Sequence, residues 1–254
     1  MYCGQTPPLF GPCLLCPNGR PSQLLFLLCR HIRLSFWYIA DAESRRRKPR
    51  RKTGVAVNIA VIGRTGVGKS SFINAIRGLS ADDEGAAAVG VIETTTQITS
   101  YTHPDHPDVT FWDLPGVGTD QFPQAEYLRL INVGRYDFFV IISATRFYET
   151  DTWLVNEISR RGKGFAFVRT KVDVEVRSNR KAHPRSHSEE AVVAEILAST
   201  IEHLNHTRQT SADVFLIDSY ATHKHDFERL AGRLLDVLPE SKNSVTTNRQ
   251  CILS

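Results

Sequence analysis

From Val55 onward, short apolar runs recur along the chain and helix-patterned stretches separate them. The runs are Ala56–Ile62, Val109–Trp112, Phe138–Ile142, Phe165–Val168 and Val214–Ile217. Each is nearly continuous in β-branched, aliphatic or aromatic residues, as expected of strands covered on both faces. Helices are predicted at Lys69–Arg77, Ala125–Val133, Thr152–Arg160, Glu189–Leu204 and Phe227–Leu238. Leu154, Val155 and Ile158 form one apolar stripe at helical spacing; Leu230, Leu234, Leu235 and Leu238 form another. Strand alternating with helix predicts an α/β fold of three layers, a mostly parallel central sheet with helices on both faces.

The pattern fails at both ends. Residues 1–23 are rich in Pro, Gly and Cys and show no periodicity. Residues 24–40 are apolar but contain Arg30, His31 and Arg33. A spanning helix needs about 20 predominantly apolar residues, and each central arginine costs about 2.5–3.5 kcal/mol on insertion. The stretch therefore reads as a helix with a basic face, or as a leader. The basic run at 45–52 (RRRKPRRK) reads as a nuclear address, an anionic-lipid patch or a solvated linker. The expected organisation is a basic, poorly ordered leader over 1–52, one domain over 53–240 and a tail over 241–254.

Charge sharpens this division. The formal net charge is +4, but residues 1–52 carry +8 and the remaining residues carry −4. An acidic body is not built to coat nucleic acid, which needs a basic face. With 41% hydrophobic and 23% charged residues, the chain is neither collagen-like, wholly disordered nor a polytopic membrane protein. Cys3, Cys13, Cys16 and Cys29 lie in the leader and Cys251 near the end, so the body has none. That fits a reducing compartment, such as the cytoplasm. Cys13 and Cys16 lack the regular outer pair and histidines of a zinc site.

The clearest chemistry begins at Gly63. Residues Gly63, Arg64, Thr65, Gly66, Val67, Gly68, Lys69 and Ser70 fit the pattern G-x-x-x-x-G-K-S/T, between a predicted strand and a predicted helix. Glycines let successive backbone N–H groups turn inward toward phosphate oxygens, and the helix N-terminus adds positive potential. Lys69 is expected on the β- and γ-phosphates, Ser70 on Mg²⁺ and Ser71 beside them. A second phosphate element is FWDLPG at 111–116. There Asp113 ends a strand, where it is placed to hold Mg²⁺ through water, and Gly116 is placed to offer its N–H to a γ-phosphate. Residues 113–125 would then sense the third phosphate.

Base choice points to Thr170, Lys171 and Asp173, just after the predicted strand Phe165–Val168. A carboxylate there accepts two hydrogen bonds from guanine, whereas adenine leaves it unpaired, and such discrimination reaches about 10⁴-fold. The Lys171 stem would lie along the base plane, and Ser219 is placed to add a backbone contact to the base oxygen. Adenine specificity is the competing reading.

Taken together, residues 54–240 resemble the G domain of the interferon-inducible, immunity-related GTPases. The resemblance rests on GRTGVGKSSFINAIRGL (63–79), EGAAAVGVIETTTQITSYTHP (84–104), VTFWDLPGVGT (109–119), YDFFVIISATRF (136–147), FVRTKVD (167–173) and the DF-plus-LP pattern from Asp226 to Pro239. It accounts for Thr170 where the usual guanine motif has Asn. It implies a Ras-like P-loop fold, GTP and GDP as ligands, Mg²⁺ as cofactor, and slow hydrolysis. It also implies a homodimer or family heterodimer through the nucleotide face that speeds turnover, and action at intracellular membranes in cell-autonomous defence. Within VIETTT, Glu93 matches the family's catalytic glutamate and Thr95 the threonine that closes over Mg²⁺ and γ-phosphate, with Thr94 the alternative. Arg146, in SATRF, matches an arginine that reaches the partner's nucleotide.

The residues fit that expectation on independent grounds. A Ras-type enzyme orients its attacking water with Gln after the DxxG glycine, but here Val117 and Gly118 follow Gly116. Another group, such as Glu93, must organise the water. The competing expectation is a non-catalytic short form that binds nucleotide and regulates the assembly of longer relatives, which continue into a helical domain. The final four residues, Cys251 to Ser254, fit C-a-a-X with Ser at X, which predicts farnesylation and peripheral membrane attachment. The alternative is an arbitrary terminus.

Overall fold

The computed structural model describes residues 56–90, 97–207 and 213–237, all of them in the unit Arg51–Ser254. The expectations for residues 1–52, Glu93, Thr94, Thr95 and Cys251 fall outside the described residues.

Among the described residues six strands form one sheet: β1 (Val57–Gly63), β2 (Thr99–Thr102), β3 (Val109–Asp113), β4 (Phe138–Ala144), β5 (Gly164–Thr170) and β6 (Asp213–Leu216). Their order is β2-β3-β1-β4-β5-β6. Only β2 runs antiparallel, beside β3; the other neighbours are parallel. Among the described residues six α-helices accompany them: α1 (Lys69–Ile76), α2 (Tyr127–Leu130), α3 (Glu149–Arg160), α4 (Val172–Ala182), α5 (Glu189–Asn205) and α6 (Phe227–Leu235).

The continuous apolar runs are explained by what covers them. Side chains alternate between the two faces of a strand. Ile59, Val61, Val140, Ile142 and Val168 pack with Phe72 and Ile73 of α1 and Phe227, Leu230 and Leu234 of α6. Their neighbours Ala60, Ile62, Phe139, Ile141 and Phe167 pack on the opposite face with Tyr127 of α2, Leu154, Val155 and Ile158 of α3, and Leu204 of α5. All seven residues of central β4 are buried. Each such side chain contributes about 1.5–3 kcal/mol on burial, so a charge placed within β1 or β4 would break one of the two cores.

The parallel sheet brings the carboxyl ends of β1, β4, β5 and β6 to one edge, which is where an open α/β sheet binds ligands. Three elements differ from the sequence reading. The helix expected at 125–133 is a short α2 followed by a 3₁₀ turn at Val133–Arg135, because Asn132 turns left-handed at φ 53°. Strand β2 and helix α4 are additional elements.

Candidate functional site

The loop from Gly63 to Gly68 leaves the end of β1 and enters α1 at Lys69. Gly63 cannot carry a side chain: a Cβ there would lie 2.2 Å from the carbonyl oxygen of Ile142, with φ at +151°. The loop thus crosses against β4 at a separation only glycine permits. Lys69 is buried, and its ammonium donates back to the carbonyl oxygens of Arg64 at 3.1 Å and Gly63 at 3.5 Å. This folds the charge into the hollow of the loop, where a phosphate would meet it.

Ser70 and Asp113 come together from elements 43 residues apart. The Ser70 hydroxyl donates to Asp113 Oδ2 at 2.6 Å, and both residues are buried. Two hard oxygen donors in contact beside a phosphate loop suit Mg²⁺, which prefers one or two carboxylates plus phosphate and water oxygens. Gly116 closes the same corner. A Cβ at Gly116 would meet Thr65 Oγ1 at 2.0 Å and the Thr65 backbone nitrogen at 2.7 Å. The two phosphate elements of the sequence therefore touch.

The base motif joins them. The Thr170 hydroxyl donates to the carbonyl oxygen of Val67 at 2.6 Å and lies 3.2 Å from that of Ser143. Lys171 takes a left-handed conformation (φ 59°) and caps α4. Its ammonium donates to the carbonyl oxygen of Gly66 at 2.8 Å. Asp173 stands in the first turn of α4 and pairs with Arg177 one turn on. That ion pair is partly exposed, so it holds the carboxylate weakly and leaves it available for exchange. Ser219 follows β6, and its neighbour Asp218 accepts from the Tyr220 N–H at 2.8 Å. Ser71 Oγ lies 3.4 Å from the Tyr220 hydroxyl.

Arg146 is exposed on the loop between β4 and α3. That loop is bound tightly, mostly by residues that the sequence reading did not single out. Arg169, nearly buried, donates to the carbonyl oxygen of Thr145 and pairs with Glu175 at 2.8 Å. Burial pushes the Arg169 guanidinium down and the Glu175 carboxyl up. The Arg64 guanidinium lies 3.6 Å from the centre of the Tyr148 ring, a cation–π contact between the phosphate loop and this one. Asp151, fully buried in the first turn of α3, accepts from Ser143 Oγ at 2.8 Å and from the Tyr148 N–H at 3.0 Å. Burial raises its carboxyl above the ordinary range, against those hydrogen bonds and the charges of Arg64 and Arg169. Arg169 lies within FVRTKVD, and Ser143 and Thr145 within SATRF, while Tyr148, Asp151 and Glu175 carried no signal beyond standing beside those motifs.

The chain matches the interferon-inducible GTPase (IIGP) family over residues 49–250. It is 44% identical over 189 residues to T-cell-specific guanine nucleotide triphosphate-binding protein 2 of Mus musculus, covering 74% of this chain and 46% of that protein. It is 41% identical over 196 residues to interferon-gamma-inducible GTPase 10 of the same organism, covering 77% of this chain and 46% of that protein. The chain thus spans about half the length of these curated relatives. Among solved structures, NFeoB from S. thermophilus bound to GDP·AlF4⁻ and K⁺ aligns with 70% of this chain and 60% of its own, at 16% identity and a TM-score of 0.47. With the family pattern matched across the phosphate loop, the Asp113 corner and the base motif, the chain belongs to the interferon-inducible GTPase family.

Proposed function

We propose that the chain binds GTP and GDP with Mg²⁺ and hydrolyses GTP to GDP and phosphate. The observation that carries this reading is the convergence at one sheet edge of three separate stretches. Ser70 meets Asp113, Gly116 meets Thr65, and Thr170 meets Val67. These contacts bring the predicted phosphate, metal and base residues to one edge of the sheet, where an open α/β sheet binds ligands.

In this reading Lys69 leaves the loop carbonyls for the β- and γ-phosphates, and the loop N–H groups hold the phosphate chain. Ser70 and Asp113 hold Mg²⁺ with Thr95, and the Gly116 N–H meets the γ-phosphate. Held by Ser70, Asp113 and Thr95, Mg²⁺ would supply positive charge that offsets the negative charge developing on the phosphates. Asp173 exchanges Arg177 for the two guanine donors, with Lys171 along the base and Ser219 at the base oxygen. Glu93 orients the attacking water. Catalysis is then positioning and charge stabilisation.

Two chains meeting across the nucleotide face, with Arg146 reaching the partner's nucleotide, raise the rate. GTP turnover measured against protein concentration tests this. Turnover per molecule should rise with concentration, and Glu93→Ala should bind GTP but not hydrolyse it. Measurable binding with flat, negligible turnover at every concentration would instead identify a nucleotide binder that does not cycle. Peripheral association with intracellular membranes belongs to the same proposal, and a flotation assay with the full chain tests it.

A further inference from the structure

Tyr220 is 82% exposed, while the next most exposed large apolar side chains among the described residues, Val89 and Tyr148, reach 41%. A single exposed aromatic residue needs no explanation by itself. Its position does. Tyr220 follows Ser219 in the loop that leaves β6, and its hydroxyl reaches the first turn of α1, 3.4 Å from Ser71 Oγ. The root of the side chain is fixed, because its N–H donates to the buried Asp218 and the Ala221 N–H bonds to the Asp218 carbonyl at 3.3 Å. The ring itself stands in solvent.

Lys171 makes a second bridge of the same kind, from the base motif to the Gly66 carbonyl at 2.8 Å. Both side chains start at the base end of the site, one at the start of α4 and one in the loop after β6, and finish on the phosphate segment, at Gly66 and at Ser71. A nucleotide with its phosphates on residues 63–70 and its base at Asp173 would run alongside both. We propose that Tyr220 is the aromatic wall of the purine site, packing its ring on the face of the base opposite the Lys171 stem. This deepens the guanine-nucleotide reading and rests on it. On entry the ligand exchanges a long hydroxyl contact for ring-on-ring packing. Stacking accepts any base, so Tyr220 sets affinity and residence time while Asp173 sets the choice of guanine.

The test uses the full chain with Tyr220→Leu and Tyr220→Phe, titrated with GDP, ADP and inorganic tripolyphosphate. Tyr220→Leu should weaken GDP by about 10-fold, with faster release, and weaken ADP by the same factor. Tripolyphosphate, which has no base, should bind all three proteins equally. Tyr220→Phe should bind GDP as the wild type does, because the ring and not the hydroxyl carries the contact. The side chain is outside the core, so thermal melts should coincide. Wild-type GDP affinity in Tyr220→Leu overturns the proposal. So does a Phe variant as weak as Leu, or tripolyphosphate binding that falls in step with GDP. If the wild type binds tripolyphosphate but shows no added affinity for GDP, the guanine reading fails and the wall fails with it.

Discussion

The hydroxyl of Thr170 donates to the carbonyl oxygen of Val67 at 2.6 Å, joining the end of β5 to the phosphate loop across 103 residues of chain. The bond ties the base motif to the phosphate loop. Thr170→Val removes the donor from two buried carbonyls, those of Val67 and Ser143, and should cost about 1–3 kcal/mol of stability. It should weaken GTP and GDP alike, and Thr170→Ser should restore both. Thermal melts and GDP titration check this; a Val variant with wild-type affinity would separate the bond from binding.

Gly116 abuts the backbone of Thr65 as well as its side chain. Gly116→Ala should therefore destabilise the corner by about 1–3 kcal/mol and lower GTP affinity more than GDP affinity. Adding Thr65→Ala should not rescue it, since the Thr65 nitrogen remains in the way. Rescue by that double variant would place the conflict in the hydroxyl alone.

The Ser70–Asp113 contact makes a separate forecast about the metal. Asp113→Asn keeps the shape but removes the charge that would orient Mg²⁺ ligands. Metal affinity should fall by about 10- to 100-fold, seen as a shift in the Mg²⁺ concentration that retards GDP release. An unshifted Mg²⁺ dependence would remove Asp113 from the metal site.

Asp151 gives the site a pH signature. Burial raises its folded-state pKa, so its contribution to stability is fully present below the ordinary Asp range and is lost as pH rises through the raised value. Asp151→Asn should keep an acceptor for Ser143 and Tyr148 while removing the buried charge. Its melting temperature relative to the wild type should therefore improve as pH rises above the ordinary Asp range. A difference independent of pH would show that Asp151 does not titrate with this sign.

Sequence patterning revealed what is contiguous and covered. β1, β4, β5 and β6 announce themselves because both faces are largely buried, β3 because its half-buried face still carries Trp112, and the phosphate loop because its glycines and Lys69 sit side by side. β2 (TSYT) is an edge strand with three exposed residues, so it has no apolar run to notice. α4 buries only Val172 and Val176, one turn apart, among charged residues. Its first turn carries Asp173, so the base motif is a helix start rather than a loop. Contacts such as Tyr220 with Ser71, Arg64 with Tyr148 and Arg169 with Thr145 depend on how loops from different strands approach each other. No local spacing encodes them.

The most direct measurement of the central claim is equilibrium titration of the full chain with GDP and ADP, in wild-type, Lys69→Ala and Asp173→Asn forms with Mg²⁺ present. The account predicts that the wild type binds GDP far more tightly than ADP, that Lys69→Ala binds neither, and that Asp173→Asn loses the preference for guanine. Equal affinity of the wild type for GDP and ADP, or GDP binding that survives Lys69→Ala unchanged, would contradict it.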